Sequence, residues 1–200
     1  MNGPRRRRSP AEARERKATV DDPSIVFEAA ARFLEVRSRS VHEVRRRLTS
    51  AGYRPDLVEG AIERMVELGI LDDEGFARAW VESRDRARPR GERAIRAELA
   101  LKGIDRASVD LVLGERREAA AGTRDGLEDD PGGAPSADRA AAERLIARQT
   151  RALGRIADPR QRRQRAYALL ARNGFDPETC REVAARVTAD ATMDLPGLDD

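Results

Sequence analysis

Arginine is the residue whose placement in this chain offers chemistry. Arg84, Arg86, Arg88 and Arg90 stand two apart, and Arg93 and Arg96 follow on what would be the outward face of a helix whose inner face holds Ile95 and Leu99. Lys102 closes that stretch; with Lys17 it is one of only two lysines. A second group is Arg160, Arg162, Arg163 and Arg165. A guanidinium carries a rigid fork of donors matched to carboxylate and phosphate, so both groups are candidates for contact with an acidic protein surface or with nucleic acid. For the first group a solvated face neutralised by Asp85, Glu92 and Glu98 explains the pattern equally well. The second group lacks such acidic neighbours, which makes phosphate or acidic-protein contact more credible there.

Catalytic chemistry finds little support. His42 is the only histidine and falls in the first turn of an expected helix, so neither a nucleophile–base pair nor a histidine metal cluster can be assembled. Cys180 is the only cysteine, which excludes an intrachain disulfide and a cysteine-rich zinc site. It occupies a position held by valine elsewhere, as expected of a small core side chain. Asp72, Asp73 and Glu74 sit where a helix needs its N-terminal cap. No glycine-rich phosphate loop with a lysine is present. No enzymatic activity, cofactor or metal is expected.

The net charge of +3 hides an uneven distribution. Residues 1–20 carry seven basic against two acidic side chains, residues 21–117 nineteen against nineteen, residues 118–138 one against six, residues 139–189 twelve against five, and residues 190–200 none against four. Forked contacts and genomic base composition both account for the near-exclusive use of arginine. No apolar run is long enough to cross a bilayer, and the basic N-terminus is not followed by a signal-peptide core. A cytoplasmic protein without membrane attachment is expected.

The elements that must position these residues follow a repeat. Gly52-Tyr53, Gly103-Ile104 and Gly174-Phe175 align three modules; four residues before each glycine stands Leu48, Leu99 or Leu170, eight before stands Val44, Ile95 or Ala166, and six after stands Val58, Val109 or Cys180. Such self-similarity marks units that close a core by stacking on their neighbours. Aromatics are only 4% and charged residues 38%, which suits small helical layers better than one large core.

The expected fold is all-α, with three tandem three-helix repeats in an elongated, curved arrangement. Their expected bounds are residues 24–69, 70–117 and 139–189. Residues 1–23 read as a disordered basic arm, 118–138 as an acidic flexible linker and 190–200 as a disordered acidic tail. Local signals set the helices. Ser40 with Glu43 suggests a capping box, Pro55 opens a third helix, and Asp72, Asp105 and Asp176 are placed as caps. The third module should contain one long helix from about residue 140 to a break at Asp158-Pro159.

These residues resemble the RecX family of regulatory proteins. Leu68-Gly69 with Leu71-Asp72-Asp73, then Phe76-Ala77, Arg84, Pro89, Ile95, Glu98-Leu99 and Lys102-Gly103-Ile104, match its central signature, and Ser40, Glu43, Arg45, Leu48 and Gly52-Tyr53 are similar to its N-terminal repeat. The resemblance spans about residues 25–187. It implies a protein without catalytic activity that binds the RecA recombinase filament, with single- or double-stranded DNA nearby; a monomer is expected. It further implies restraint of recombinase and coprotease functions, in DNA repair and the SOS response. A plain helical DNA-binding module acting through phosphate contacts is the competing reading.

Overall fold

A computed structural model describes residues 9–122 and 136–189, and among these residues there is no strand. The chain forms two compact units. The first comprises the described residues through Phe76 together with Leu101–Asp105, and the second Ala77–Ala100 with those from Arg106 onward.

The first unit holds α1 (Pro10–Ala18), α2 (Pro23–Leu34), α3 (Val41–Ala51), α4 (Pro55–Glu67) and the first turn of α5 (Asp73–Ala87). Side-chain caps start the helices: Asp22 accepts the Ser24 N–H at 2.8 Å and Ser40 accepts the Glu43 N–H at 3.2 Å. One face of each of α2, α3 and α4 is apolar, and with Leu71 these faces meet in a single cluster of Val26, Ala30, Val44, Leu48, Val58, Ala61, Ile62 and Met65. Ser40 is fully buried and donates its hydroxyl to the Lys102 carbonyl at 2.6 Å. The Glu43 carboxylate, which a capping box would return to Ser40, instead meets Arg37 at 3.0 Å and Lys102 at 2.9 Å.

The second unit contains most of α5, α6 (Glu92–Leu101), α7 (Arg106–Gly122), α8 (Ala137–Ala147), α9 (Thr150–Gly154), α10 (Pro159–Arg172) and α11 (Pro177–Ala189). Leu170 of α10, Phe175 in the turn after it, and Cys180 and Val183 of α11 close over Ala141 and Ala142 of α8, and Leu153 of α9 packs with Ala166 and Ala184. Cys180 is wholly buried, and burial pushes its thiol up from its ordinary value. Asp176 caps α11, accepting the Glu178 and Thr179 N–H groups at 2.9 Å each.

All nine aligned apolar positions of the modules are buried. The glycines on which they turn, Gly52, Gly103 and Gly174, have φ of 101°, 77° and 83°, a left-handed conformation that side chains other than glycine adopt at a cost. Each also lies close against another helix. A Cβ on Gly103 would overlap His42, in the first turn of α3, and one on Gly174 would overlap Ala94, in the first turn of α6. The joint thus repeats: the glycine of one module meets the opening of the second helix of the module before it. At Gly52 the corresponding place is taken by the backbone of Arg14 in α1.

Three expectations are corrected. The arm expected to be disordered through residue 23 contains α1, because Ser9 and Glu12 form a reciprocal capping box (2.8 and 3.2 Å) around Pro10 at the helix start. Residues 1–8, with Arg5 to Arg8, lie outside the described residues. The expected linker is entered from both sides: α7 runs to Gly122 and α8 begins at Ala137, leaving residues 123–135 outside the described ones, as are 190–200. The long first helix of the third module is two helices. Gln149 leaves helical geometry (φ −108°, ψ 4°), and the Thr150 hydroxyl donates to the Ala147 carbonyl at 2.9 Å, competing for the acceptors a continuing helix would use.

Asp138, placed by sequence in the linker, fastens the second and third modules. Its carboxylate accepts the Glu92 N–H at 2.9 Å, capping α6, and the Arg116 Nη1 at 2.6 Å, while Arg116 reaches Asp85 through Nε and Nη2 at 2.9 Å each. The Arg116 side chain is only 6% exposed. Burial alone would lower its pKa, but the bonds to Asp85 and Asp138 outweigh it. Nearby, the Gly91 N–H donates to the Asn173 carbonyl at 3.0 Å.

Candidate partner-binding surface

The two arginine groups have different surroundings in the second unit. In the first, Arg84 lies across the Trp80 ring at 4.3 Å and donates its Nε to Glu98 at 2.6 Å; the Trp80 N–H meets the same carboxylate at 2.8 Å. The helical spacing of Trp80, Arg84 and, on α6, Glu98 brings cation, ring and acid together. Arg90 pairs with Glu98 at 3.6 Å and donates to the Asn173 side-chain oxygen at 2.9 Å. Arg86 pairs with Glu82 one turn earlier. Arg96 is held by Glu92 at 3.0 Å and by Asp110 of α7, and the hydrogen bond to Asp110 is the main reason its pKa is raised. Lys102, in the first unit, is bound to Glu43. Only Arg88 and Arg93 of this group are exposed and in no ion pair among the described residues.

The second group is open. Arg160, Arg163 and Arg165 project from α10, exposed and in no ion pair among the described residues. Arg162 differs: its Nε and Nη2 donate to the Ile156 carbonyl at 3.1 and 2.9 Å, which ties the loop after α9 to α10. Two arginines of α9 and its end, Arg151 and Arg155, are likewise exposed and in no ion pair. Sequence reasoning did not single them out, although the twelve-to-five excess of base over acid in residues 139–189 was a signal for them. Leu153 packs with Ala166, so the short helix stays beside α10. Arg148 serves structure, donating to the Ala87 and Arg86 carbonyls at the end of α5, where a cation suits the helix dipole.

This difference decides what each group can do. Arg84, Arg86, Arg90 and Arg96 must leave a carboxylate before engaging a partner. The guanidiniums of α9 and α10 can meet a phosphate or carboxylate without breaking an existing pair, and in a water-exposed setting they do so with strong salt dependence.

The remaining candidates have structural roles. Asp72 accepts the Gly75 N–H at 2.9 Å as a cap, and Asp73 accepts the Val41 N–H at 2.8 Å; burial raises the Asp73 pKa, and that bond only partly offsets it. His42 is exposed, its Cβ against Gly103. Among the described residues there is no cluster of histidine, cysteine and acidic side chains able to hold a metal ion. No described helix is long and apolar enough to cross a membrane.

Helical modules with repeated glycine joints, and a surface whose chemistry is ionic, define a helical-repeat protein. Residues 27–65 match the family model of the first three-helix domain of RecX, and residues 72–113 that of the second. The chain is 31% identical to the regulatory protein RecX of Mycolicibacterium smegmatis, over 77% of this chain and 74% of that one. It is 30% identical to the regulatory protein RecX of Mycobacterium avium, over 86% and 92%. The chain belongs to the RecX family of regulatory proteins. Its fold is also that of the crystal structure of RecX from Lactobacillus salivarius, with a TM-score of 0.66 at 18% identity over 84% of this chain and 98% of that one.

Proposed function

We propose that this protein binds the RecA filament and restrains its recombinase and coprotease activities, with the arginines of α9 and α10 as the main contact. The observation that carries this reading is the set of five exposed, unpaired guanidiniums at positions 151, 155, 160, 163 and 165. Membership in a family of regulatory proteins named for RecX supports the choice of partner. A filament repeats the same surface at every subunit, so a chain of three modules, read as residues 24–69, 70–117 and 139–189, gains by contacting more than one subunit. Arg88 and Arg93 extend the contact; Arg84, Arg86, Arg90 and Arg96 join it only by exchanging partners.

Cosedimentation with RecA filaments on single-stranded DNA, compared with the DNA alone, tests the reading. Replacing the five arginines of α9 and α10 with glutamate is expected to abolish cosedimentation with filaments and the inhibition of strand exchange. Unchanged inhibition would refute the assignment. A second reading, phosphate contact with DNA as the main role, draws on the same unpaired guanidiniums. It predicts salt-dependent sedimentation with bare DNA and none gained from RecA.

A further inference from the structure

We propose that the exposed arginines of α9 and α10 are covered in the unbound protein by residues 190–200 of the same chain, so that a partner competes with a built-in acidic ligand. Those residues, outside the described ones, hold Asp190, Asp194, Asp199 and Asp200 and no lysine or arginine. Described residues set where they begin. α10 and α11 form a helical hairpin through the turn at residues 173–176, and their packing runs away from that turn in order: Leu170 clusters with Cys180 and Val183, then Ala166 with Ala184 and Val187. Ile156, next to Arg155, packs against that second cluster. The last turn of α11 therefore lies beside the start of α10, and the chain leaves it at the end of the surface that holds Arg155, Arg160 and Arg163.

Charge and reach specify the contact. Of the five acids in residues 139–189, Glu143 and Glu182 pair with Arg186 and Arg139, Asp158 and Asp176 cap helices, and Glu178 stands in the first turn of α11, at the far end of the hairpin. That leaves none of them for the guanidiniums at positions 151, 155, 160, 163 and 165. A segment of eleven residues spans up to about 36–40 Å, against about 21 Å for the whole of α10, so its aspartates can reach all of these arginines. Tethering gives the segment an effective concentration of roughly millimolar order, which populates a contact too weak to hold a separate peptide. A partner then meets only the uncovered fraction, and its apparent affinity falls by that fraction. As a control on filament binding this rests on the function proposed above; the contact itself does not.

The first test uses the chain alone. NMR of the arginine Nε–H groups compares the full-length protein with a full-length variant carrying D190N, D194N, D199N and D200N. At low salt the signals of Arg155, Arg160 and Arg163 are expected to differ between the two, and at about 1 M salt the difference should vanish. Arg54, paired with Asp21 and Asp56 in the first unit, should not respond. Unmoved signals in a variant that keeps its helical circular dichroism would overturn the proposal. Inorganic tripolyphosphate, titrated into both proteins, should bind the variant about three- to tenfold more tightly, and equal affinities would overturn the competition. Cosedimentation with RecA filaments should show the same gain. Absence of filament binding by both proteins would refute the function proposed above and not the contact.

Discussion

The arginines around α5 and α6 and those on α9 and α10 are spaced alike in sequence, though only the former have several acids close by, and in the second unit the former are mostly neutralised and the latter are not. Around α5 and α6 the acids come from two sources. Glu82 and Glu92 stand one turn before Arg86 and Arg96 on the same helix, and Glu98 and Asp110 arrive from helices packed alongside. Neither α9 nor α10 holds an acid of its own; Asp158, the N-cap of α10, binds the Arg160 backbone N–H at 2.9 Å, and on the helices alongside Glu143 and Glu182 pair with Arg186 and Arg139. A run of arginines therefore marks where cations are, and the neighbouring helices determine which remain available.

The largest expected effect lies at the most deeply paired arginine. Arg116→Ala would take the shared cation from two partly buried carboxylates, Asp138, left with the Glu92 N–H, and Asp85, left with Arg144 at 3.4 Å, and a loss of about 3 kcal/mol in thermal or denaturant unfolding is expected. An effect within the surface-substitution range would show that the two carboxylates are hydrated and that the clasp between the modules is weak.

Next comes the joint. Gly174→Ala places a Cβ against Ala94 in a left-handed conformation and is expected to destabilise by roughly 1–3 kcal/mol, measured by denaturant unfolding. Gly114→Ala, at a helical glycine with open space where the Cβ would sit, is the matched control and should leave stability unchanged or slightly raised.

At the scale of about 1 kcal/mol, Arg84→Ala should destabilise, since it frees Glu98 and uncovers Trp80, whereas Arg163→Ala should stay within about 0.5 kcal/mol. Equal costs at the two positions would erase the distinction between a paired and an open group. The binding assay should rank them the other way, with Arg163→Ala the more harmful to filament cosedimentation.

A final contrast is with pH, in the first unit. Burial alone would raise the Glu43 pKa, but hydrogen bonds from Arg37 and Lys102 outweigh it and hold the carboxyl at about 2, against an ordinary 4.5. Because the folded value is the lower one, this contribution is fully present above pH 4.5 and is lost as pH falls from there toward 2. Lys102→Met should flatten that part of the stability profile, followed by circular dichroism across the acid range. The open arginines of α9 and α10 should leave no trace there.

Much of the fold was legible because its signals are local or periodic. The leucines before each glycine, the left-handed glycines themselves and the caps at Ser40, Asp72 and Asp176 depend on spacing within a few residues. Where two local signals competed, reading by composition misled. Ser9-Pro10-Ala11-Glu12 is a complete helix start, but the scarcity of apolar residues around it argued for disorder; α1 buries no side chain and is held instead by backbone contact at Gly52 and by Lys17 over the Tyr53 ring at 5.2 Å. Asp138 read as one more acid in an acidic stretch, since nothing local distinguishes it from Glu128 or Asp130.

The linear order of residues by itself determined that this protein is helical, that its modules repeat and turn on glycine, and that its charge is gathered in the third module. Each follows from backbone preferences and periodicities that act over one or two turns of chain. Only the tertiary structure decided which arginines are spent on carboxylates, and that Asp138 and Arg116 fasten two modules. Pairing and burial depend on side chains from distant parts of the chain meeting within about 4 Å, and no local preference carries that information.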